Sequence, residues 1–218
     1  MMYYQPDRIV RETLADVGEA VPFFQSTLPA EIVKMLDFST LKVEPSTFID
    51  ENLKEYRADL LFQVEMIDKK LAQIYILFEH KSYKDPKIFT QMLSYLARIY
   101  KQQTEPSIVI PFLFYHGKKK WNFGFDFASR FKLTEKQKPL LQRYLPNYEL
   151  AHFILTNESI DNMNFSVYSK TLFEIMKSIA YGDLSTELSE IIDLKSIFQS
   201  GEPLTFFVIL KLSCQNCF

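Results

Sequence analysis

Asp59, Glu79 and Lys81 stand in the order D-(x19)-E-x-K, and phosphodiester hydrolysis has a use for each residue type. Two carboxylates brought together suit a hard divalent cation. Magnesium takes oxygen ligands at about 2.0 to 2.1 Å, so Mg2+ is the expected cofactor, with Mn2+ as a substitute. Such an ion polarises a phosphate and lowers the pKa of a bound water. Lys81, two residues from Glu79 and so on the same strand face, orients or deprotonates that water, or offsets transition-state charge. The His80 side chain points to the other face, but its backbone carbonyl is a further candidate metal ligand. The plain alternative is the solvent side of a two-stranded ribbon, where ion pairs of these types contribute little.

The elements that must position these residues can be read from periodicity. From Arg57 to Glu65, Ala58, Leu60, Phe62 and Val64 alternate with Asp59, Gln63 and Glu65, the pattern of a half-buried strand. Ile74, Ile76 and Phe78 alternate in the same way with Tyr75, Leu77, Glu79 and Lys81. Between them, Asp68-Lys69-Lys70 is a polar turn candidate. If the hairpin is centred on Lys69, Leu60 faces Phe78, Phe62 faces Ile76 and Val64 faces Ile74. That register sets Asp59 opposite Glu79; a slip of two residues would preserve the faces equally well.

Around this hairpin the sequence predicts a helix over Pro6–Leu14, then a helical stretch from Phe23 to Leu36 restarted at Pro29, and a short strand from Thr40 to Val43. After Asp85-Pro86 comes an amphipathic helix to about Gln102, with Ile88, Met92, Tyr95, Leu96 and Ile99 inward. Ser107 to Tyr115 is nearly continuous apolar sequence, expected as a strand buried on both faces and partnered by the hairpin. A helix near Glu135–Tyr144, a strand at Leu150–Leu155 and helices near Tyr168–Tyr181, Leu188–Phe198 and Leu204–Leu212 follow. The expected fold is α/β: a restriction-endonuclease-like core (helix, β-hairpin within a mixed sheet, helix, strand) over residues 1–160. A helical C-terminal extension over 161–218 completes it.

Composition narrows the function classes. With 218 residues, 47% of them hydrophobic, the chain can bury a sizeable core. A net charge of -2 argues against a broad basic surface that wraps nucleic acid, so any DNA contact must be local. Cys214 and Cys217 supply only half of a four-ligand zinc site. No apolar run is long enough to span a bilayer, and the first ten residues lack the pattern of a leader, so no membrane association and a cytoplasmic location are expected.

The stretches Phe48-Ile-Asp-Glu51, Arg57-Ala-Asp-Leu-Leu61, Glu79-His-Lys-Ser82 and Tyr115-His-Gly117, with Trp121 close behind, resemble the recombination-promoting nuclease family. This family, also called YhgA-like transposases, belongs to the PD-(D/E)XK nuclease superfamily. The resemblance spans roughly residues 5 to 160. It implies metal-dependent DNA cleavage linked to recombination, with Asp59 and Glu79 as metal-binding acidic residues and Lys81 where the family carries Gln or Lys. It further sets Glu12 where many superfamily members place an extra acidic residue, and Gln91 with Tyr95 where one branch has a Q-x-x-x-Y helix. Each has an ordinary reading: an exposed helix carboxylate for Glu12, and a surface Gln beside a packed Tyr.

Lys118-Lys119-Lys120-Trp121 can meet phosphates while Trp121 stacks on a base, or it is a solvated turn carrying a buried Trp. His116 is expected to cap or pack, and Ser82 either hydrogen-bonds at the site or ends its strand. The chain ends at Cys217-Phe218, where family members commonly continue, so a truncated copy is one expectation. The leading expectation is a Mg2+-dependent DNA endonuclease, with a homodimer if both strands are cut. A catalytically weak DNA-binding or recombination-accessory protein is the second. An interaction module whose polar strand face is decoration is the third.

Overall fold

The computed structural model describes residues 6–44, 60–68, 74–156 and 158–181. Five strands form one mixed sheet in sequential order: β1 (Leu36–Glu44), β2 (Leu60–Met66), β3 (Ile74–Lys81), β4 (Ile108–Tyr115) and β5 (Ala151–Ile154). The first three are joined antiparallel, and β2 pairs with β3 through Leu60↔Phe78, Phe62↔Ile76 and Val64↔Ile74. This is the register that the apolar residues predict. β3 and β4 run parallel, from Ile74↔Ile108 to Lys81↔Tyr115, which demands a long crossover. Helix α4 (Ile88–Gln102) supplies it. β4 meets only one strand of the hairpin; its other neighbour is β5, also parallel.

Helices cover both faces. On one, α1 (Pro6–Ala15), α2 (Val17–Thr27) and α6 (Val167–Tyr181) bury Val10, Leu14, Phe23, Phe24, Leu172 and Phe173 against Phe62, Phe78, Phe112 and Phe114. Phe23 is the hub, with its ring within contact of Phe24, Phe78, Phe112, Phe114, Phe153, Phe165 and Phe173. On the other face α4 buries Ile88, Phe89, Met92, Tyr95, Leu96 and Ile99 against Leu61, Val109, Leu113 and Tyr115. All five inward residues expected of α4 are buried.

Several elements differ from their sequence-based expectations. β2 is buried on both faces, Glu65 excepted, because α4 covers the side predicted to face solvent; even Gln63 is enclosed. The first helical pair divides earlier, at Asp16, whose Oδ1 accepts from Gly18 N at 2.8 Å. The short α3 (Ala30–Val33) then starts behind Pro29, and Leu36 opens β1 instead of closing a helix. β1 is longer than expected and has a register shift between Asp37 and Lys42. There the Asp37 carboxylate takes the Ser39 N–H, while Thr40 Oγ1 accepts from Glu65 N at 2.9 Å. The helix expected over 135–144 shrinks to α5 (Lys138–Leu141) and one 3-10 turn, since its apolar residues meet no core. Lys69 and Lys70 of the hairpin turn and the helices expected near 188–198 and 204–212 lie outside the described residues. No described helix is long and apolar enough to cross a membrane.

Candidate active site

The end of β3 and the first turns of α4 meet on the α4-covered face of the sheet. Glu79 and Lys81 point the same way from the strand because they are two residues apart, and Gln91 reaches them from the helix. Gln91 Nε2 donates to Glu79 Oε1 at 2.6 Å and to the Tyr95 hydroxyl at 2.8 Å. Its Oε1 accepts from Lys81 Nζ at 3.1 Å. Lys81 Nζ also lies 3.1 Å from Glu79 Oε1. A single amide thus serves the anion with its N–H and the cation with its carbonyl.

Glu79 is only 4% exposed, and an ion pair this enclosed is far less screened than a surface one. Burial on its own would lower the Lys81 pKa; the Glu79 carboxylate, with smaller help from Tyr83 and Asp85, outweighs it and holds the ammonium above the usual lysine range. Lys81 is therefore a cation here, suited to orienting water or stabilising phosphate charge more than to removing a proton.

β4 fixes the floor of the site. His116 N donates to Lys81 O at 3.1 Å, carrying the parallel ladder one step past the strands. Tyr115, fully buried, sends its hydroxyl back to the Lys119 carbonyl. This return path runs over Gly117, where a Cβ would sit 2.6 Å from Tyr115 Cζ and 2.7 Å from Ser82 O. The Tyr-His-Gly motif is thus a close crossing that only glycine fits, and His116 is buried beside the Phe114 ring. Ser82 meets Gly117 through its backbone carbonyl.

Asp59, the second carboxylate of the D-E-x-K set, lies outside the described residues, as does the Phe48–Glu51 motif. Glu12 is on the exposed side of α1, paired with Arg8 at 2.6 Å, and α1 packs on the sheet face opposite α4; among the described residues Glu12 is not brought to Glu79, Lys81 or Gln91. Lys118, Lys119 and Lys120 are exposed. Trp121 is 6% exposed and packed on Tyr115, Phe123 and Phe125, so its ring serves the core and offers no free face for stacking on a base. Asp85 is a neighbour that sequence reasoning used only as a helix start. Its Oδ2 lies 3.8 Å from Lys81 Nζ, and its Oδ1 accepts from Lys87 N at 2.9 Å.

The donor chemistry fits a hard cation in part. Glu79 and the His80 carbonyl are oxygen donors at the end of a rigid strand. Among the described residues no group of three or more His, Cys, Asp or Glu side chains converges. Magnesium, which keeps several waters and is held by one or two carboxylates, needs no such group; one further carboxylate beside Glu79 would be enough.

A family described as "Putative transposase, YhgA-like" matches residues 5–203 of the chain. Among individual proteins, recombination-promoting nuclease RpnA of Escherichia coli is 33% identical over 116 residues, which is 51% of this chain and 39% of that protein. Recombination-promoting nuclease RpnC of the same organism is 29% identical over 116 residues, or 51% of this chain and 38% of that one. The inactive recombination-promoting nuclease-like protein RpnE, also from Escherichia coli, is 30% identical over 116 residues, with 51% of this chain and 38% of that protein covered. The matched segment thus spans well under half the length of these relatives. No solved structure matches the chain.

Proposed function

The chain belongs to the YhgA-like transposase family, and from that premise we propose that it is a metal-dependent DNA endonuclease with a PD-(D/E)XK core. In this reading Asp59, Glu79 and the His80 carbonyl hold Mg2+, or Mn2+ in its place. The observation that carries the proposal is the Glu79–Lys81–Gln91 set: a buried carboxylate and a cation on one strand end, locked by a helix side chain. The bland alternative, a solvent-facing ribbon, would leave these side chains exposed, whereas α4 covers them. The hairpin register expected from the sequence sets Asp59 opposite Glu79, and that second carboxylate would complete the site.

The bound ion would supply Lewis acidity toward the phosphate and make water a stronger nucleophile. The protein's own part is positioning and charge. Gln91 holds the Glu79 carboxylate in one orientation, so the donor oxygen is presented without a loss of rotamer freedom on binding. The Lys81 ammonium, held charged by Glu79, offsets the negative charge that grows on the phosphate oxygens in the transition state. Asp85 and Gln91 limit where that ammonium can move.

Cleavage of supercoiled plasmid tests this reading. Wild type is expected to nick DNA with Mg2+ and to stop on addition of chelator, and Asp59→Asn, Glu79→Gln and Lys81→Ala each to lose at least a hundredfold in rate with the circular dichroism spectrum retained. Cleavage indifferent to these substitutions would sink the assignment. One observation favours a second reading, a DNA-binding accessory protein without catalysis: a relative as similar as RpnE is named inactive. That reading predicts duplex binding without nicking under any divalent metal.

A further inference from the structure

Between the 3-10 turn at Phe127–Arg130 and β5 the chain leaves the sheet and stays out. Every residue from Phe131 to Asn147 is exposed except Leu133 and Leu145. Lys132, Lys136, Lys138 and Arg143 lie on this excursion against one carboxylate, Glu135, in a chain whose net charge is -2. The excursion is thus a local excess of positive charge, as is the exposed run Lys118–Lys120. Glu135 is spent on Lys138, 3.2 Å away, which leaves Lys132, Lys136 and Arg143 without a described ion-pair partner. Tyr144 at 78% exposed and Leu140 at 66% stand among these cations, the two most exposed large apolar side chains among the described residues.

Both feet of the excursion stand on the same helix turn. The Arg130 guanidinium lies 5.6 Å from the centre of the Phe89 ring and 4.8 Å from that of Phe123. At the returning end the Tyr148 hydroxyl donates to the Phe89 carbonyl. Phe89 precedes by two residues Gln91, which holds Glu79. The segment is therefore rooted on the helix that carries Gln91.

We propose that residues 131–147 are a DNA-gripping arm, whose four cations meet backbone phosphates of the duplex presented to the Glu79–Lys81 site and whose Tyr144 and Leu140 press on sugar and base faces. The inference rests on the nuclease reading for its ligand. Phosphate neutralisation is local and cumulative, so four clustered cations suffice for a short track along one strand. Exposed apolar side chains on such an element are of the kind inserted at base steps where DNA bends.

Binding measured without cleavage separates the two proposals. Anisotropy of a labelled 30-base-pair duplex in chelator, titrated with the full chain across a salt series, reads affinity and salt slope. Changing Lys132, Lys136, Lys138 and Arg143 together to Ala is expected to weaken binding at least tenfold and to reduce the slope by about 3 to 4, at about 0.9 per phosphate contact. Tyr144→Ala is expected to weaken binding with the slope unchanged. An unaltered slope in the fourfold variant overturns the arm while leaving the nuclease reading to the plasmid assay. If wild type neither binds duplex nor nicks plasmid, both fall. A Leu140→Ser, Leu141→Ser variant that turns a dimer into a monomer in sedimentation, with DNA binding intact, would instead make this surface a contact between copies of the chain.

Discussion

Gln91 decides how the strand-end charges are arranged. Its amide cannot be turned over without facing its N–H groups to the Lys81 ammonium and its carbonyl to the Glu79 carboxylate, so the two hydrogen bonds choose one orientation. Gln91→Ala removes three hydrogen bonds from enclosed polar groups, and a loss of about 1 to 3 kcal/mol is expected, read as a lower urea midpoint with unchanged slope. Gly117→Ala is expected to cost a similar amount, about 1 to 3 kcal/mol, by overpacking. Adding Tyr115→Phe should not restore stability, because the ring carbon and the Ser82 carbonyl remain in the way. At this scale the sequence is readable where one periodic element carries the signal, as with Gln91 and Tyr95 at i, i+4. It is silent where the contact is made through space: nothing local to Gly117 says that a tyrosine hydroxyl returns over it to Lys119.

Between β2 and β3, the pairing could be derived before the structure because the side-chain period is two and every apolar residue had to find an apolar partner. Leu60↔Phe78, Phe62↔Ile76 and Val64↔Ile74 satisfy that condition. What alternation cannot report is which third element lies over the polar face: α4 packs there on Leu61 and bonds Glu79 through Gln91, and both Glu79 and Gln63 are buried. Propensity misled in the opposite sense over 135–144, where helix formers with no core to cover give little more than one turn. Phe62→Ala is expected to destabilise by about 3 to 5 kcal/mol through the cavity it opens, measured by thermal unfolding. Nicking by the folded fraction should survive it, since Phe62 faces away from Glu79.

On the scale of the molecule, the question is where the core ends. The sequence suggested an extension beginning at residue 161, yet Leu172, Phe173 and Met176 of α6 sit in the same cluster as Phe23 and Phe114, and the family match runs on to residue 203. Phe173→Ala is therefore expected to cost about 3 to 5 kcal/mol of global stability, where a detachable extension would lose almost nothing; a differential scan of the whole chain distinguishes these. Composition gave no hint, because a helix docked on a sheet and a helix outside it share one amphipathic pattern. The side-chain set at the end of β3 has a consequence on this scale too. Glu79, Lys81 and Gln91 answer one another's charges across a strand and the helix beside it, so the set ties α4 to β3 whatever chemistry it does. The joint these residues make serves a nuclease and a DNA-binding protein alike, so it is the rate of nicking, and not the presence of the three side chains, that separates the two.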